Sequence, residues 1–284
     1  MVRVGAHIKT AGGPLTCFQR ALDMGAETMQ IFLTPPQQWR SSRVEPEVAA
    51  EFRARLADSP ISPVFVHGVY LINLATADKT MLLRSTSNLK SAMRTCGEMN
   101  IQGVIFHLGS HKGMGLDAVF EQICTAITEI LRETPEQVQL VLENSAGAGA
   151  NIGSKWADLG RIIRQVGSDR VRVCLDTQHA YAEGYDLASA EGLALAMEEF
   201  QREVGWDRLV AVHANDSKVE LGKERDRHEN IGYGLIGRDG FARIMAHPAF
   251  KDLPFILEVP GMDNTGPDKP NLDALKEIRA SLQG

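Results

Sequence analysis

Six residues of metal-ligand type, His67, His107, Glu143, Asp176, His213 and Glu258, follow one another at separations of 40, 36, 33, 37 and 45 residues. Each closes a short apolar run, such as Val64-Phe65-Val66 before His67 or Val171-Arg172-Val173-Cys174-Leu175 before Asp176. Imidazoles and carboxylates at the ends of buried strands are costly unless they are paired or bound to a cation. Six independent accidents would explain this recurrence poorly. His179 lies three residues beyond Asp176, and Asp226-Arg227-His228 adds another pair. An Asp and a His two apart on an extended segment point to the same side and can grip one ion. Five of the eight histidines therefore join four carboxylates in one candidate set. Such a mixture suits zinc best, with manganese or iron compatible. For Asp176 and His179 taken alone, a helix-capping Asp and a packed His is the simpler reading. The rest of the set reverses it.

The elements that must position these residues alternate regularly. Strands are expected over Arg3–Ile8, Thr28–Leu33, Val64–His67, Gly103–Leu108, Gln139–Glu143, Val171–Asp176, Leu209–His213 and Phe255–Glu258. Helices are expected over Pro14–Met24, Pro46–Ala57, Lys79–Met99, Leu116–Arg132, Trp156–Val166, Leu187–Val204, Phe241–Ala246 and Leu272–Leu282. A longer connection runs from Ala214 to Gly237. Eight strand–helix units, with almost no Pro or Gly inside the strands, predict a closed parallel (β/α)8 TIM barrel, class α/β, as a single domain over residues 1–284. In such a barrel the C-terminal ends of the strands meet at one mouth, so ligands remote in sequence become neighbours. An open doubly wound sheet would need a glycine-rich first turn, and none is present.

Composition fits this frame. The 284 residues are 44% hydrophobic and 23% charged, ordinary values for a globular protein. Cys17, Cys96, Cys124 and Cys174 form no CxxC pair, and reduced, buried thiols are expected. Met1-Val2-Arg3-Val4-Gly5 enters a strand at once without signal-peptide anatomy, so a cytoplasmic location and no membrane partner are expected. The formal charge of −6 argues against a protein that coats nucleic acid. Three bound divalent cations would offset that charge and place positive potential in the site itself.

The chain resembles the endonuclease IV family of apurinic/apyrimidinic (AP) site nucleases, among the xylose-isomerase-like barrels. The residues that carry the likeness are His67-Gly68-Val69-Tyr70-Leu71-Ile72-Asn73-Leu74, Phe106-His107-Leu108-Gly109-Ser110-His111 and Leu142-Glu143-Asn144-Ser145-Ala146-Gly147. They continue through Asp176 to Asp186, His213-Ala214-Asn215-Asp216-Ser217-Lys218, Asp226-Arg227-His228 and Leu257-Glu258. The resemblance implies three zinc ions. His67, His107 and Glu143 would hold the first; Glu143 would bridge to a second completed by Asp176, His213 and Glu258; His179, Asp226 and His228 would hold the third. It implies cleavage of double-stranded DNA 5′ to an abasic site, leaving a 3′-hydroxyl and a 5′-deoxyribose phosphate, and is compatible with a 3′-phosphodiesterase activity. Glu143 and Glu258 would be the catalytic carboxylates, with Glu258 orienting the attacking hydroxide. A monomer is expected.

Tyr70 matches a family position that enters the duplex beside the lesion. Two departures concern the grip on DNA. Gln37, in Thr34-Pro35-Pro36-Gln37-Gln38-Trp39, stands where better-known members carry a wedging arginine, and Tyr233 stands where a glutamate is usual. His7 and His111 read as hydrogen-bonding residues and not as ligands. His247 reads as solvated. Asn215, Asp216 and Lys218 read either as residues that orient ligands or touch phosphate, or as a turn. Two rival functions remain. A metal-dependent sugar isomerase or epimerase shares the barrel, but it has no need of the His179–Asp226–His228 group. A damage-binding protein without turnover should lack the complete ligand set.

Overall fold

Eight parallel strands close into a barrel in a computed structural model that describes residues 1–282. The barrel strands are β1 (Arg3–Ile8), β2 (Thr28–Ile31), β3 (Val64–His67), β4 (Gly103–His107), β5 (Gln139–Glu143), β6 (Val171–Asp176), β7 (Leu209–His213) and β10 (Pro254–Leu257). A short antiparallel pair, β8 (Asp216–Ser217) and β9 (His228–Glu229), lies outside the barrel. The helices are α1 (Cys17–Met24), α2 (Pro46–Ala57), α3 (Lys79–Met99), α4 (Leu116–Arg132), α5 (Trp156–Val166), α6 (Thr177–Glu183), α7 (Ala190–Glu203), α8 (Gly237–Ala246) and α9 (Lys269–Ser281). Consecutive barrel strands are neighbours, and β1 closes on β10. The TIM barrel read from the sequence is the fold observed. The expected domain's residues 283–284 lie outside the described residues.

Local chemistry explains the boundaries. The Asp78 carboxylate caps α3 by accepting from the Thr80 and Met81 N–H groups at 2.8 and 3.2 Å. The helix ends at Asn100 in the left-handed region, at φ 57°. Along β3, Val64 and Val66 pack outward with the helices while Phe65 points into the barrel, the period of two that a strand imposes. Phe65, Ile105, Val141, Cys174, Ala211 and Ile256, one from each of six strands, form a separate buried cluster that fills the barrel. Gly5 allows β1 to lie close to β2, since a Cβ there would sit 1.8 Å from the Thr28 carbonyl oxygen.

Three differences from the expected elements bear on the site. The Asp176–His179 segment continues into α6, a helix absent from the expected elements although the capping reading of Asp176 allowed it; its six buried residues show no polar face to set a helical period. The connection after β7 contains the β8–β9 pair, too short to give a strand signal. Glu258 falls one residue beyond β10, at the barrel rim.

Candidate metal centre

Two residues past each member of the barrel-filling cluster stands a polar side chain. Phe65 leads to His67, Ile105 to His107, Val141 to Glu143, Cys174 to Asp176, Ala211 to His213 and Ile256 to Glu258. The same alternation puts His7 and Gln30 at this level of β1 and β2. On β3 to β7 and β10 the inward face therefore changes from apolar to polar in one step at the mouth. His67, Glu143, Asp176, His179 and His213 are buried, His107, His228 and Glu258 partly so, and Asp226 is exposed.

The structure gathers these residues into three groups whose potential ligand atoms lie within 4.8 Å of one another: His67–His107–Glu143, Glu143–Asp176–His213–Glu258 and Asp176–His179–His228. Glu143 joins the first two. Its Oε2 lies 3.1 Å from His67 Nε2 and 3.3 Å from His107 Nε2, and its Oε1 lies 2.8 Å from His213 Nδ1. The third group differs from the expected trio in that Asp176 takes the place of Asp226. Asp226 nevertheless faces both imidazoles, 3.4 Å from His179 Nε2 and 3.3 Å from His228 Nε2.

Each histidine but His107 is turned by a contact on its other nitrogen. His67 Nδ1 meets the Gly68 carbonyl at 2.7 Å, His179 Nδ1 the Asn144 carbonyl at 2.9 Å, His228 Nδ1 the Glu258 carbonyl at 3.2 Å, and His213 Nε2 the Gln30 Oε1 at 2.9 Å. A ring nitrogen that donates to such an acceptor leaves a lone pair on the other, which is how protein ligands to metals are usually held. The inward atoms include His179 Nε2 and His228 Nε2, both buried and close to the Asp226 carboxylate without an aligned hydrogen bond to it. Buried polar atoms are rarely left so. An unspent pair of imidazole nitrogens facing a carboxylate fits a cation with nitrogen and oxygen preferences.

Electrostatics agree. Burial raises the Glu143 carboxyl, but His107, His213 and His67 outweigh it and hold the group well below the usual carboxylate range. Burial opposes a proton on His179, yet Asp176, Asp226 and Glu143 lift it to about 10. Carboxylates that draw protons onto imidazoles offer the same field to a metal ion, which takes the protons' place.

Three supporting residues complete the site. The Asn215 side chain donates to Asp176 Oδ2 at 2.7 Å and accepts from the Glu258 N–H at 2.8 Å. His7 Nδ1 lies 3.3 Å from Glu258 Oε1, and Gln30 Nε2 donates to the same oxygen at 2.7 Å. Gln30 was not singled out in the sequence, although its position two residues after Thr28 on a buried strand was the available signal. Asp176 also caps α6, accepting from the His179 N–H at 2.8 Å. The capping reading and the ligand reading of Asp176 are thus compatible, one oxygen serving each. His7, His67, His107, His179, Asp226, His228 and Glu258 border a cleft of about 610 Å³, with Phe32, Tyr70 and Pro260 on its walls.

The family model described as a xylose isomerase-like TIM barrel matches residues 18–283. A probable endonuclease 4 of Methanoculleus marisnigri is 39% identical over 280 residues, covering 98% of this chain and 99% of that one. The crystal structure of endonuclease IV from Thermus thermophilus superposes with a TM-score of 0.85 at 31% identity, covering 99% of each chain. The chain belongs to the endonuclease IV family. A D-tagatose 3-epimerase-like protein reaches a TM-score of 0.71 at 15% identity, which reflects the common barrel alone. Within this endonuclease IV fold, the two residues singled out for DNA sit on neighbouring loops. Tyr70 is 60% exposed, packs edge-on against Phe32 with centroids 5.4 Å apart, and its N–H donates to the Pro36 carbonyl beside exposed Gln37.

Proposed function

We propose that this protein is a zinc-dependent AP endonuclease that hydrolyses the phosphodiester 5′ to abasic sites in double-stranded DNA, acting as a monomer and holding three zinc ions. The observation that carries the reading is the inward array of lone-pair nitrogens and carboxylate oxygens, two of them buried and unspent, in a chain of the endonuclease IV family. His67, His107 and Glu143 would hold the first ion; Glu143, Asp176, His213 and Glu258 the second; His179, Asp226 and His228 the third. When bound, zinc supplies Lewis acidity, bringing the pKa of water towards neutrality and stabilising charge on an oxygen leaving phosphorus.

The chain's own residues do the rest. Glu143 presents one oxygen to each of two groups and fixes their separation. Glu258, turned by Gln30 and His7, directs its other oxygen to within 3.3 Å of His213 Nδ1 and orients the attacking water at the cleft. Tyr70 and Gln37 project from the rim, where a duplex would be gripped beside the lesion. No helix of the described residues is long and apolar enough to cross a membrane.

The test is an incision assay on an abasic duplex with zinc-loaded and chelator-treated protein. Cutting 5′ to the lesion, with a 3′-hydroxyl that a polymerase extends, is expected only from the loaded form. An intact duplex after incubation with loaded protein would overturn the assignment.

A further inference from the structure

The third ligand group differs from the other two in what carries it. Apart from Asp176 at the end of β6, its residues His179, Asp226 and His228 ride on α6, on the loop before β9, and on β9, and none of these is part of the barrel. Two buried polar side chains outside the ligand set tie those pieces together. Gln178 has no exposed surface, and its Nε2 donates to the Arg225 carbonyl at 2.9 Å, one residue before Asp226. The same loop is laced to α6 by Gly222 N–H on the Tyr181 carbonyl and Glu224 N–H on the Ala182 carbonyl, at 3.2 and 2.8 Å.

Asp216, likewise without exposed surface, anchors the other side. Its carboxylate accepts from the backbone N–H groups of Ser217, Gly232, Gly234, Ile236 and Gly237 at 2.8–3.3 Å. A Cβ at Gly234 would lie 2.5 Å from Asp216 Oδ1, so glycine lets the turn close on the carboxylate. The backbone of Asp216 pairs with Glu229, and that of Ser217 with His228. One side chain thus fixes the turn that follows His228, while its own strand holds His228 in register.

Both groups are spent on backbone of the segment that carries the ligands. Gln178 uses its amide nitrogen there, although its Oε1 finds no hydrogen-bond partner. An unsatisfied buried amide oxygen calls for a structural reason, and the aligned donor on the same amide is spent on the Asp226 segment. We propose that Gln178 and Asp216 are positioning residues for the third cation, Gln178 through Asp226 and Asp216 through His228. The inference rests on the three-zinc reading above.

The test compares zinc release to a chromogenic chelator from wild type, Gln178→Met and Asp216→Asn, each full length and zinc-loaded. Met keeps the volume of Gln178 without its donor. Asn keeps the shape of Asp216 but turns an amide NH2 towards backbone donors. One zinc per chain is expected to leave about 10–100-fold faster, the effect typical of losing a residue that orients a ligand, while the other two leave at wild-type rates. Gln178→Met should add nothing in a His179→Ala background. Wild-type release of all three ions from Gln178→Met, or equal loosening of all three, would overturn the proposal; so Gln178→Met carries the test even where Asp216→Asn does not fold. A wild-type chain that holds only two zincs would instead overturn the three-zinc reading, and this inference with it.

Discussion

The two ends of the barrel put their charged side chains to different uses. At the base, where the strands begin, Arg170 donates to the carbonyls of Leu131, Pro135 and Val138 and to Thr134 Oγ1, at 2.7–3.1 Å. Glu27 joins Arg279 through both oxygens at 2.6 and 2.9 Å and takes the Val4 N–H as well. These groups are spent on the chain itself, and they close loops that bury apolar strands. At the mouth, the side chains gather around Glu143 with imidazole nitrogens left over. Unspent polar atoms are a liability to folding unless something outside the chain uses them. The base is built for stability and the mouth for an ion.

The largest expected effect is at the mouth. Glu258→Gln keeps the shape of the side chain but removes its charge and one acceptor oxygen. It should slow incision of an abasic duplex at least ~100-fold, the loss seen when one electrostatic stabiliser is removed. Duplex binding should survive, because the rim loops are untouched. Binding and incision measured on one preparation separate the two. Incision at the wild-type rate would remove Glu258 from the mechanism.

The base should show the reverse pattern. Arg170→Met removes the guanidinium shared by four acceptors in a partly buried network, a loss of roughly 2–3 kcal/mol of stability. Chemical denaturation should register that loss, while incision per folded molecule stays unchanged. A slower enzyme of normal stability would mean that the two ends are coupled.

This division explains what could be read in the sequence. Strand ends such as His67 and Asp176 were legible because a strand's period of two places the candidate ligand two residues after an inward apolar residue, and the repeat of one unit returns it to the same height. The helices that cover the barrel were legible for a similar reason, each having one apolar face. Residues that act on the ligands from a second strand were harder. Gln30 meets His213 and Glu258 across 183 and 228 residues of sequence, and nothing in the composition of β2 announces such partners. The third group was half legible: the His and Asp types stood out, but α6 and the β8–β9 pair that carry them take their form from tertiary contacts and not from local periodicity.

The rim loops give a smaller effect, on affinity alone. Tyr70→Ala should weaken binding to an abasic duplex by ~1–3 kcal/mol, the range for an aromatic side chain stacked on a base. Gln37→Arg should tighten it, since arginine adds charge and a planar cation to a position that now holds a neutral amide. Both shifts should appear in the dissociation constant at fixed salt, with kcat little changed. Equal affinity in all three proteins would mean that these loops stay outside the DNA.

The smallest effect is at the base and depends on pH. Burial raises the Glu27 carboxyl, but Arg279, the Val4 N–H and Lys276 outweigh burial and bring it below its ordinary value. A carboxyl depressed on folding contributes stability that is complete above its unfolded pKa, about 4.3, and is lost as pH falls through the lower folded value. Glu27→Gln removes that charge at every pH. The variant should therefore be less stable than wild type by on the order of 1 kcal/mol at neutral pH, a partly exposed pair being screened by solvent. The gap should narrow as acid protonates Glu27 in the wild type. Denaturation of both proteins after metal removal, at neutral pH and in acid, tests this with the mouth contributing equally to each. A gap that does not change with pH would assign the role of Glu27 to its hydrogen-bond geometry and not to its charge.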